Sequence, residues 1–214
     1  MRSWRAMSES IHLPAMGLWL GSVVMTGAAA GVLFPKMKGL APTIPAYGAY
    51  TGEHWRIAAG TPAATLFDIC DGIQLGCAMI AAVSLMTLVY VGKAPVRRPA
   101  MLVRIGALAL AFVALGYQLF FLSPGMRTNL LAFWIAAKEG KNEAAEVFRA
   151  AFDAAHPKAT AALAAVAACV LVSLITGAWS AATHDEAAAR HGGRRATTPK
   201  TVIETPLLAK NPRL

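Results

Sequence analysis

Four stretches of this chain carry no acidic or basic residue: 13–34, 72–92, 105–126 and 159–183. Each is 21 to 25 residues long, and about 20 helical residues suffice to cross a hydrocarbon core roughly 30 Å thick. Runs of this length are too extended for ordinary core helices. They predict an all-α integral membrane bundle of four transmembrane helices, at about 13–34, 70–92, 103–123 and 159–182. Composition agrees: 57% of residues are hydrophobic and 14% charged, where a soluble domain carries roughly 25% charged. The transmembrane domain is 1–183. The remainder, 184–214, is basic and polar with a Gly192-Gly193 pair, and reads as a disordered tail because it cannot bury a core.

Arg2 and Arg5 ahead of an apolar run also suit a cleavable leader, and Ala28-Ala29-Ala30 would supply small residues for cleavage. The run is long for a leader, so it reads as a span. The net charge of +9 is distributed unevenly. With four spans, the N-terminus, the loop 93–100 and the tail share a side holding 12 of the 20 basic residues and only four acids. A basic excess in short loops marks the cytoplasm, so both termini are expected inside, in a plasma (inner) membrane. Attraction to anionic lipid at that face accounts for the charge; nucleic acid is not an expected partner. Trp19, Tyr90 and Trp179 fall near the inner span ends, where amphipathic rings favour the interface.

Two motifs occur twice in the same order. Pro35-Lys36-Met37-Lys38 returns as Pro124-Gly125-Met126-Arg127, and Phe67-Asp68-Ile69-Cys70-Asp71 returns as Phe152-Asp153-Ala154-Ala155-His156. The offsets are 89 and 85 residues. The simplest account is a tandem 2+2 hairpin repeat, with Pro35 and Pro124 ending spans and the Phe-Asp copies opening others. Asp68 and Asp153 can cap free helix N–H groups. Asp71 and His156, three residues further on, share a face with them, so Asp68, Asp71, Asp153 and His156 are expected near the outer mouth of the bundle. Three carboxylates and an imidazole suit a divalent metal, and the thioethers of Met37 and Met126 would bias such a site towards copper. The spacing matches no fixed zinc or calcium motif. The competing reading is a polar cluster that caps and registers the helices. Pro157 places His156 at a helix boundary in this reading.

The first outer loop, 35–67, is rich in Pro and Gly and reads as irregular, with at most a short helix. In the second, two amphipathic stretches flank the polar turn 138–143 and predict short helices on the outer surface or capping the bundle. Gly17, Gly21, Gly27 and Gly31 form two Gly-x-x-x-Gly spacings, and Gly72 and Gly76 a third; close packing within the bundle is the expected use. Gln74 and Gln118 are the strongest polar groups inside the spans, and interhelical hydrogen bonding is their default role. Arg104 sits near the inner edge and is expected to snorkel. His12 and His54 read as structural or solvated. Cys70 and Cys77, seven apart on one helix, cannot bridge each other.

Trp19-x-Gly21, Phe34-Pro35, Ser123-Pro124-x-Met126-Arg127 and Phe152-Asp153-x-x-His156-Pro157 together resemble the transmembrane protein 205-like domain family, a domain of unknown function distantly similar to copper-resistance protein D-like membrane proteins. The resemblance spans 11–182. It implies a multi-pass helical membrane domain, a link to metal or drug tolerance in some members, and no catalytic residue to carry over. No catalytic constellation is visible either, so an enzyme ranks third. A structural or accessory membrane component is expected first, with other membrane subunits as partners. A metal- or cofactor-binding transport protein is the alternative.

Overall fold

In the computed structural model, the described residues are 2–196, with side chains described from 4 to 183. Five α-helices account for nearly all of them: α1 (Arg2–Leu40), α2 (His54–Tyr90), α3 (Pro99–Tyr117), α4 (Ser123–Lys138) and α5 (Asn142–Ala196). A π-helical segment, Gln118–Leu122, joins α3 to α4 without a break, and a single 3-10 turn, Pro45–Tyr47, lies between α1 and α2. Four helical stretches are long and apolar enough to cross a membrane: Trp4–Leu40, His54–Tyr90, Pro99–Lys138 and Asn142–Thr183.

α1 packs chiefly on α2, and α3 and α4 pack on α5. The two hairpins meet mainly where α1 touches α5, whereas α2 and α3, consecutive in the chain, scarcely touch. One end of the bundle therefore gathers the start of α1, the α2–α3 turn and the continuation of α5; it is called the termini end below. The other, the loop end, gathers the segment 41–53 and the α4–α5 turn.

The helices are far longer than a bilayer requires. α1 has 39 residues and α2 has 37, so each is about 55–59 Å long against a hydrocarbon core of roughly 30 Å. Two hydrophobic cores follow from this length. The larger, built on Met16, Trp19, Ala78, Leu88, Leu108 and Val166, fills the apolar halves of the helices. The smaller, around Tyr50, Ile57, Phe133, Ala137 and Ala145, lies at the loop end.

This second core changes the reading of the outer segments. Pro35 does not break the first helix: α1 runs through it to Leu40, and the irregular first loop contracts to 41–53. The amphipathic stretches of the second loop are α4 and the first turns of α5, continuous with the long helices; their apolar faces close the smaller core. Pro157 likewise lies inside α5, so His156 sits within a helix and not at its boundary. Backbone helix also continues past Thr183 to Ala196; the rest of the tail, 197–214, lies outside the described residues.

Pro124 does not break the helical path either. A proline lacks the amide donor and its ring clashes with the carbonyl four residues back. The chain widens locally instead, with the Ser123 amide donating to the Gln118 carbonyl five residues earlier. Such π turns accommodate a proline without breaking the helix. At the α4–α5 turn, Gly140 has φ +72°, and a Cβ there would stand 2.9 Å from Ala49 Cβ. Backbone conformation and close approach both call for glycine.

Candidate functional site

Inside the bundle, polar side chains of α1, α2, α3, the π segment and α5 form two groups. The first centres on Asp71, a half-buried residue of α2. Its Oδ1 accepts hydrogen bonds from Gln118 Nε2 at 2.9 Å and Gln74 Nε2 at 3.2 Å. Gln74 Oε1 accepts in turn from Trp19 Nε1 at 3.2 Å. The π segment presents Gln118 inward, and Gln74 and Trp19 are fully buried. Trp19 therefore belongs to the core and not to an interfacial belt, because burying its ring is compatible with pairing its N–H. Tyr90 and Trp179 are exposed, as belt residues require.

The other three residues of the repeated motif have separate partners. Asp68 pairs with Arg127 on α4 at 3.0 Å. Asp153 pairs with Arg149 at 2.8 Å and lies 3.7 Å from Arg56. His156 is exposed, with its ring against Phe152. Among the described residues no group of three or more His, Cys, Asp or Glu side chains is placed to hold a metal ion. The Asp68–Arg127 pair does join a Phe-Asp copy to a Pro-x-Met-basic copy. The reciprocal partner of Asp153 would be Lys38, whose ammonium instead lies over the Trp55 ring.

The second polar group, at the termini end, was not legible as a site in the sequence. Arg104 is 1% exposed and does not snorkel. Its Nη1 and Nη2 donate to Glu9 Oε1 and Oε2 at 2.8 and 2.7 Å, a bidentate pair joining α3 to α1. Gly177 on α5 makes the room: a Cβ there would lie 3.2 Å from the Arg104 guanidinium carbon. One turn along α1, His12 Nδ1 stands 3.1 Å from the Ala81 carbonyl and 2.9 Å from Ser84 Oγ. A carbonyl only accepts, so Nδ1 carries the proton and Nε2 is a bare acceptor. His12 Nε2, Arg104 Nε, Ser8 Oγ and Ser173 Oγ are all buried with no partner within the protein. The signal available beforehand was Glu9 and His12 at i, i+3 at the start of a span, with one arginine near the facing span's inner edge.

At the loop end the segment 41–53 is clamped onto α5. Tyr50 donates to Glu146 Oε1 at 2.9 Å, and the Thr51 amide donates to Asn142 Oδ1 at 2.9 Å. His54 Nδ1 accepts from the Ile44 amide at 3.0 Å, so Nε2 carries the proton and donates to the Tyr50 carbonyl at 2.9 Å. Burial, followed by the bond to Glu146, pushes the Tyr50 phenol up to about 12. The folded state therefore holds this proton more tightly than the unfolded chain, whose tyrosine titrates near 10. The contribution is fully present below pH ~10 and is lost between ~10 and ~12. Tyr50→Phe should cost about 1 kcal/mol at neutral pH. It should also flatten the alkaline fall in melting temperature, followed by circular dichroism in detergent; an unchanged alkaline limb would remove Tyr50 as its source.

No family model, curated protein or solved structure matches the chain.

Proposed function

We propose that the protein is a multi-pass inner-membrane component, both termini cytoplasmic, acting as a structural or accessory subunit that docks on another transmembrane helix through α1. The observation that carries this reading is an unused small-residue seam. Gly17, Gly21, Val24, Ala28 and Gly31 follow alternating spacings of four and three, and all five are exposed. A Cβ built on Gly17, Gly21 or Gly31 would meet nothing within 4 Å, and the same holds for Gly27, Gly72 and Gly76. The sequence suggested that these glycines pack within the bundle; they do not. α1 also buries far less of its apolar stretch than the other three long apolar stretches do.

A seam with this period suits a second helix at a shallow crossing angle, and small residues permit close backbone approach where lipid supplies no hydrophobic drive. The resemblance to the transmembrane protein 205-like family belongs to the same proposal, since it implies only a multi-pass helical domain. Anionic lipid at the cytoplasmic face is part of it too, because the basic residues concentrate at the termini end. Native electrophoresis of gently solubilised membranes tests the docking. The wild-type chain should run in a complex larger than a monomer, and Gly21→Ile with Gly31→Ile should shift it to monomer size. A wild-type chain already running as a monomer would end the accessory reading.

A further inference from the structure

A groove of about 420 Å³ opens to the outside between α1 and α2 at the termini end. Met7 and Ile11 form one wall and Met79, Ile80 and Val83 the other, all partly exposed. Three hydroxyls line it, and two are already engaged. Ser84 Oγ bonds the Ile80 carbonyl and His12, and Thr87 Oγ1 donates to the Val83 carbonyl at 2.8 Å. Ser8 is the exception: the residue is 3% exposed, and its buried Oγ has no partner within the protein. A predominantly apolar concavity of a few hundred Å³ with one unspent polar group is what a ligand site requires.

The surroundings indicate the class of ligand. Immediately beyond the α2 wall the turn carries Lys93 and Arg97, both exposed, followed by Arg98. No acidic residue occurs between Asp71 and Glu139, and Glu9 beside Ser8 is held by Arg104. The α2–α3 turn at this end of the bundle is therefore cationic while the groove is apolar. Ser8 lies one turn inside Trp4, about 6 Å along the helix axis, a depth that suits the region between head group and chain.

We infer that this groove holds one anionic phospholipid. An acyl chain lies between the methionine-bearing walls, whose flexible thioethers adapt to it. An ester carbonyl, which can only accept, takes the Ser8 hydroxyl proton. The phosphate faces Lys93 and Arg97. The inference rests on the proposal that the chain spans a membrane with this end at an anionic leaflet.

The test is thermal unfolding of the full-length, delipidated protein in detergent, titrated with dioleoylphosphatidylglycerol or dioleoylphosphatidylcholine. The anionic lipid should give a saturable rise in melting temperature and the zwitterionic lipid none. Val83→Trp fills the groove from its exposed wall and should abolish the rise. Ser8→Ala should weaken apparent affinity about 5-fold, the loss of one hydrogen bond, and serves alone if the tryptophan variant does not fold. Equal responses to the two lipids, or a rise that survives both substitutions, would overturn the inference. Sidedness is read separately, by labelling Ser3→Cys with a membrane-impermeant maleimide. Labelling from outside sinks the topology while leaving the lipid preference to the melting data.

Discussion

Arg104→Ala should lower the stability of the bundle by about 3 kcal/mol, the lower part of the range for removing one member of a buried ion pair. The lower part applies because the Glu9 side chain retains 17% exposure, so its abandoned carboxylate reaches some solvent. The cost arises from the charge left behind more than from the pair's own attraction, since desolvating two ions offsets much of what their contact returns. The double change Glu9→Gln with Arg104→Met should therefore recover most of the loss, which a simple sum of two damaging substitutions would not. Melting in detergent of the wild type, Glu9→Gln, Arg104→Met and the double variant provides the cycle. A double variant as unstable as the worse single variant would show that the pair holds the α1–α3 contact by its specific geometry and not by charge compensation.

That pair also shows where sequence reasoning reached its limit. The four long apolar helical stretches were legible because an uncharged run of 21 or more residues has few alternatives to a helix able to cross a membrane. The polar turn between α4 and α5 was legible because Gly140 and its charged neighbours interrupt two amphipathic stretches. The helix ends were not. Prolines at 35, 62 and 157 all lie within helices, and a proline whose freed carbonyl is satisfied by neighbours or water need not end a helix in a membrane protein. Arg104 was misplaced for a related reason. An arginine near a span end can extend to the interface or turn inward, and Gly177, 73 residues away in the chain, decides between the two. Asp68, Asp153 and His156 share motif positions but sit on exposed surfaces, where arginines and solvent take them up.

Asp71 is the member of that motif whose partners make it matter most. Asp71→Ala should cost about 2–4 kcal/mol, because it leaves the side-chain amides of both Gln74 and Gln118 without their acceptor, and each unsatisfied buried donor costs about 1–3 kcal/mol. Gln74 is 0% and Gln118 4% exposed, so water inside the bundle is not a ready substitute. Gln118 Oε1 already lacks a partner within the protein, which leaves that amide especially vulnerable. Asp71→Asn keeps an oxygen that can accept from both glutamines and should lose about 1 kcal/mol or less. The ordering wild type, Asn, Ala in melting temperature reports the acceptor role. Repeating the series with a chelator separates it from metal binding: a polar register between α2 and the π segment is indifferent to the chelator, whereas a metal ligand is not. If Asp71→Ala melts with the wild type, Asp71 does not hold the two hairpins in register. Chelator-sensitive melting of the wild type that disappears in both Asp71 variants would instead support the metal reading at this residue.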